Sequence, residues 1–173
     1  MTVRAAFFSA MLIAACAMEA PTAAEGMFPW KAGDHPPSVA GIALGDSEQH
    51  VRQVLGEPTS TAKMGAANIL EYQPSGLEIT ATKADGVSII RLRTPQAGAI
   101  DGIKIGDSVS TVIAKWGNPS DGHGRVALFN AGVWTVEVRL ADDGPNVVDI
   151  LLAWNTTKWP DLDASKAQAY RPQ

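Results

Sequence analysis

The sequence predicts an α+β protein built as a tandem repeat, in each copy a helix packed on a three-stranded antiparallel meander, with the helices on one sheet face. Three observations carry this expectation. Residues Gly41–Pro58, GIALGDSEQHVRQVLGEP, return at Gly102–Pro119 as GIKIGDSVSTVIAKWGNP, with eight of eighteen columns identical at an offset of 61. Each copy is followed by three runs of alternating apolar and polar residues, separated by turn residues. The link Thr94–Ala99 is short and holds Pro95 and Gly98, so the units must be neighbours, and helices segregated to one face of an antiparallel sheet make an α+β fold.

The chain opens on a basic Met1–Arg4 and an apolar Ala5–Ala17, too short to span a membrane as a helix, so residues 1–17 read as a secretory signal. Within it Ile13-Ala14-Ala15-Cys16 resembles the pattern around bacterial lipoprotein cysteines, which implies lipidation of Cys16 and attachment to the outer membrane on its periplasmic side. Cleavage at Ala15-Cys16-Ala17 or Thr22-Ala23-Ala24 would instead release a soluble exported protein, and the residues leave both routes open. Residues 18–38 carry Pro21, Pro29, Pro36 and Pro37 and read as a tether, with Trp30 a packing anchor at the domain edge.

The first unit spans 39–94 and the second 100–155. Each begins with an extended piece ending in a turn at Gly45 or Gly106, after which Asp46-Ser47 and Asp107-Ser108 supply oxygens that can cap a helix. The helices place Val51, Val54 and Leu55, and Val109, Val112, Ile113 and Trp116, on one face. Gly56 and Gly117 fall where a left-handed C-terminal cap belongs, and Pro58 and Pro119 stop further winding. Helices of two to three turns are too short to stand alone, so they must dock on a sheet.

The strands predicted for that sheet are Asn68–Tyr72, Leu77–Thr82 and Val87–Arg93, then Arg125–Asn130, Val133–Leu140 and Val147–Trp154. Thr59–Ala67 and Ser120–Gly124 read as polar, Gly-containing connections. Alternation turns Leu77, Ile79 and Ala81, with Trp134, Val136, Val138 and Leu140, toward the helices. The opposite face receives Glu78, Thr80, Thr82, Thr135, Glu137 and Arg139, joined by Arg91, Arg93 and Asp149. Residues 156–173 form a tail with a short helix expected over Asp161–Tyr170.

Composition and motifs narrow the chemistry. Cys16 is the only cysteine, so the folded part has neither a disulfide nor a thiol nucleophile. A net charge of −4 with scattered Lys and Arg argues against nucleic acid as a partner. His35, His50 and His123 fall in the tether, on the exposed side of the first helix and in a Gly-rich loop and pair with no acid at ligand spacing, and Asp142-Asp143-Gly144-Pro145-Asn146 fits a β-turn better than a calcium loop. Ser47 and Ser108 recur at helix starts, where a cap needs a hydroxyl and no base. Gly41-x-x-x-Gly45 lacks the Lys-Ser/Thr of a phosphate loop. Trp116 and Trp134 belong to the core, and Trp154 and Trp159 to the sheet edge. No cofactor, no metal and no catalytic set is expected.

The Gly45-Asp46-Ser47 to Val51 stretch, the Leu55-Gly56-Glu57-Pro58 ending, Tyr72, and their second-copy counterparts through Phe129 resemble the SmpA/OmlA (BamE) outer-membrane assembly lipoproteins. They are also similar to the β-lactamase inhibitor proteins. This resemblance implies a non-catalytic envelope protein that binds or scaffolds another envelope protein and touches the membrane through a lipid anchor only. Glu78, Arg91, Arg93, Glu137 and Arg139 are the expected contact residues. The alternative is a periplasmic small-ligand binder or hydrolase using the groove between the repeats.

Overall fold

A type I′ turn opens each half of the chain in the computed structural model. Ala40 and Gly41 (φ 52° and 82°) let Val39 and Ile42 exchange both backbone hydrogen bonds, at 2.8 and 2.9 Å, and Asp101 and Gly102 (φ 44° and 74°) do the same for Ile100 and Ile103. The apolar ends of these turns are fully buried. The structure describes Trp30 and residues 34–155. The signal with Cys16, the rest of residues 18–33, Trp159 and the helix expected over Asp161–Tyr170 lie outside them.

The helices follow, α1 over Glu48–Leu55 and α2 over Val109–Trp116. Ser47 Oγ accepts from the His50 N–H (3.1 Å) and Ser108 Oγ from the Thr111 N–H (3.2 Å), satisfying one orphan donor at each helix start. The neighbouring acids do something else. Asp46 and Asp107 turn back, and their carboxylates accept from the Ala43 and Lys104 N–H groups at 2.7 and 2.9 Å, closing the turn before the helix. Gly56 and Gly117 end the helices at φ 81° and 77° with ψ near −165°, a region essentially closed to other residues, rather than in the left-handed helical cap expected.

Among the described residues eight strands make one sheet: β1 (Ser60–Met64), β2 (Ala67–Tyr72), β3 (Leu77–Thr82), β4 (Gly86–Leu92), β5 (Asp121–His123), β6 (Val126–Asn130), β7 (Trp134–Leu140) and β8 (Val147–Trp154). All pairs are antiparallel, in the order β1-β2-β3-β4-β8-β7-β6-β5. This overturns the expected fold class, a tandem helix on a three-stranded meander. Each half carries four strands, and a continuous eight-stranded sheet outweighs two eight-residue helices. The physical reason lies in β1 and β5, whose residues are exposed throughout. An edge strand with no buried face leaves no alternation in the sequence.

One face of the sheet is the core. Leu70, Ile79, Ile90, Leu152, Val136 and Phe129 run across six strands as one row of cross-strand neighbours, all buried. Val51, Val112 and Trp116 join the same cluster from the helices. Val54 and Ile113, placed in the core by helical spacing, are exposed: helices of eight residues bury only Val51 from α1 and Val112 and Trp116 from α2. Trp30 packs on the cluster from the tether.

Candidate functional site

Among the described residues no helix adds a second core on the other sheet face, and alternation sends there the residues that the ladder register places opposite one another. One row reads Ser60, Glu71, Glu78, Arg91, Leu151, Glu137, Leu128, Asp121 across all eight strands. The next reads Ala62, Ile69, Thr80, Ile89, Ala153, Thr135, Asn130. Arg139 stands opposite Asp149 on the β7–β8 ladder. The structure thus places four of the five expected contact residues, Glu78, Arg91, Glu137 and Arg139, on one surface of the sheet, with Arg93 immediately past the end of β4.

These charges are paired among themselves. Arg91 Nε donates to both oxygens of Asp149, at 3.0 and 2.9 Å, tying β4 to β8 across the junction of the two halves. Arg93 donates to Glu78 Oε2 at 2.6 Å. Arg139 lies 3.7 Å from Glu137, beyond hydrogen-bond distance, and its side chain, like that of Arg93, is 51% exposed. The Arg93 and Arg139 pairs, with half-exposed arginines, contribute about 0–1 kcal/mol each and can be exchanged for intermolecular ones at small cost, whereas Arg91 and Asp149 are largely covered.

Sequence reasoning identified the charges and missed the apolar centre between them. Ile69, Ile89, Leu151 and Ala153 sit on this face, on β2, β4 and β8. The signal was present in Asp149–Trp154, where Leu151 and Ala153 interrupt the expected polar alternation and mark a central strand apolar on both faces. Beside Ile89 and Ala153 a cavity of about 400 Å³ opens at the seam of β4, β7 and β8, lined also by Ser88, Thr135, Trp154 and Asn155.

Elsewhere, His50 Nε2 lies 3.9 Å from Asp46, one helical turn away, and Ser47 is engaged as a cap. Ser108 Oγ is within 2.7 and 2.9 Å of the Ser110 and Thr111 hydroxyls. Among the described residues no group of three or more His, Cys, Asp and Glu converges on a common point.

No protein-family model matches the chain, and no curated sequence matches it. Solved structures of similar shape do. A cysteine-rich secretory protein from Staphylococcus aureus aligns with a TM-score of 0.58 at 9% identity over 74% of this chain. An extracellular SCP-domain protein from Bacillus anthracis gives 0.46 at 11% over 67%, and a DUF4309 family protein from Bacillus subtilis 0.47 at 11% over 66%. This chain spans about half the length of the first two (50% and 45%) and 83% of the third. The expected likeness to the SmpA/OmlA (BamE) and β-lactamase inhibitor families does not hold, because the unit those motifs implied, a helix on three strands, is replaced here by a continuous eight-stranded sheet whose solved likeness is to the staphylococcal fold.

Proposed function

We propose that this chain is a non-catalytic, exported protein-binding module whose open sheet face meets another protein of the cell envelope. The observation that carries the reading is the arrangement of that face: an apolar centre of Ile69, Ile89, Leu151 and Ala153 flanked by Glu78, Arg91, Arg93, Glu137 and Arg139. Protein interfaces have this anatomy, with a desolvated apolar core and a polar rim. A standard contact needs about 800 Å² per partner, the scale of a face eight strands wide. Export is supported by the apolar segment behind Arg4 and by the secretory description of the staphylococcal protein. Anchoring is by lipid on Cys16, which predicts that the full-length protein enters the detergent phase and that Cys16→Ala leaves it in the aqueous phase.

Arg93 and Arg139 are the residues to reverse, since both are half exposed and neither joins the core. The expected result is a crosslinked envelope partner with the wild type that is lost in Arg93→Glu/Arg139→Glu while the melting temperature stays within a few degrees. The specific alternative is a small ligand in the 400 Å³ seam cavity. Stabilisation of the purified protein by a small apolar compound, abolished by Ala153→Phe, with crosslinking indifferent to the arginines, would replace the protein-binding reading by that one.

A further inference from the structure

Backbone hydrogen bonds establish which residues of the two halves correspond beside the helices. Thr59 N–H donates to Glu71 O and Ser120 N–H to Leu128 O, both at 2.8 Å. Gln73 N–H donates to Thr59 Oγ1 and Asn130 N–H to Ser120 Oγ, both at 3.1 Å. Tyr72 therefore stands where Phe129 does, facing Leu77 as Phe129 faces Val136. Two residues before those partners come Ser75 and Trp134. Leu55 and Trp116 correspond as the residues before the terminal glycines.

In the second half this place is filled. Trp30 contacts Trp116 and Trp134, with ring centroids 5.3 and 5.1 Å apart, and Trp116 meets Phe129 edge-on at 5.3 Å. An aromatic side chain from outside the helix-and-sheet unit completes the cluster. In the first half, the corresponding Leu55, Tyr72 and Ser75, with Pro74 and Gln96, line an open groove of about 660 Å³.

We infer that this groove is a docking site for a tryptophan side chain presented by an extended segment of a partner protein, with a basic residue beside the tryptophan. The chain's own use of Trp30 at the corresponding place shows what such a pocket holds. The charge preference comes from Glu57 on the groove's lining, whose side chain is 79% exposed. Arg52 is shared between Glu48 and Glu57, so the two acids leave one negative charge uncompensated. The second half has Asn118 at that position. This site lies on the helix side of the sheet, so it stands or falls separately from the open face.

The test uses the full-length protein and a synthetic peptide with the sequence of residues 26–34, GMFPWKAGD, added in trans. Calorimetry should show saturable one-to-one binding that disappears when the peptide's tryptophan is alanine. Ser75→Trp, which installs the second half's residue, should weaken it at least tenfold. Glu57→Lys, at an exposed position, should weaken it several-fold, and a peptide with glutamate in place of its lysine should recover that loss. Absence of binding to folded protein at millimolar peptide overturns the inference. So does binding that survives both substitutions and grows in Trp30→Ala, which would put the peptide in the second half. Concentration-dependent self-association in sedimentation, abolished by Trp159→Ala, would make the occupant a second copy of this chain and also overturn it.

Discussion

Glu48 is held below the ordinary glutamate range of about 4.3 first by the Asn68 side-chain amide, which donates at 2.8 Å, and then by Arg52. A lowered carboxylate contributes stability that is present above its unfolded value and is lost as pH falls through its folded one. Asn68→Ala should therefore flatten the acid side of the stability curve below about pH 4.3, read by urea titration at several pH values. Tyr72 shifts the other way, raised chiefly by burial, so its contribution is whole below about pH 10 and fades as pH rises through its folded value. Tyr72→Phe removes that alkaline slope and the bond from Tyr72 Oη to Gly56 O (3.3 Å), at a cost of about 1 kcal/mol or less at neutral pH, and Phe129 shows that the corresponding site accepts the ring alone. Glycines separate as sharply. A Cβ on Gly86 (φ 70°) would stand 2.4 Å from the Asp46 carbonyl oxygen, so Gly86→Ala should cost well over 1 kcal/mol, while Gly144→Ala, with open space around it, should be neutral or stabilise slightly. The importance of Gly56 and Gly117 was legible because repetition isolated them. That of Gly86 was not, since its constraint comes from a carbonyl forty residues away in sequence.

At the scale of elements, legibility followed burial. The six strands with an inward face lie within one or two residues of where alternation put them, and both helices start where Ser47 and Ser108 cap them. The two strands without an inward face, β1 and β5, left only a turn signal, Gly65 and Gly124 at φ 62° and 57° between the paired ends of their hairpins. Their exposure has a consequence for association. Among the described residues β1 is an edge strand with one unpaired side, and Lys63 with its charge is the residue in it that discourages edge-to-edge pairing. The second half depends on an element that no strand or helix pattern announces. Trp30 sits on Trp116 and Trp134, and Trp134 Nε1 donates to Asp34 O at 3.0 Å, so the segment ahead of the first turn is bound into the other end of the chain. Trp30→Ala should cost about 2–3 kcal/mol, less than a fully buried tryptophan, and should lower the melting temperature by several degrees. A melt unchanged by this substitution would mean that the contact adds nothing to the fold.

The whole molecule turns on the seam where β4 meets β8. Four register pairs, Ile89↔Ala153, Ile90↔Leu152, Arg91↔Leu151 and Leu92↔Ile150, join the halves, and Arg91–Asp149 crosses the same line. Strand patterning does not distinguish one sheet from two, because each of β4 and β8 could end a four-stranded sheet or stand at the centre of eight. The structure answers through Leu151 and Ala153, apolar residues on the face that a lone edge strand would give to solvent. One core cluster contains the buried residues of both halves, so they should unfold as one cooperative unit despite the repeated motif. Tryptophan fluorescence tests this, because the described tryptophans, Trp30, Trp116, Trp134 and Trp154, all pack in or against the second half. Ile90→Ala removes buried surface from β4 in the first half and should cost about 2–5 kcal/mol. If the sheet is one unit, that substitution shifts the fluorescence melt and the far-ultraviolet circular dichroism melt together. A fluorescence transition that stays at its wild-type temperature while the dichroism signal splits would show two independently stable halves, and the seam would then be a contact between domains rather than the middle of one.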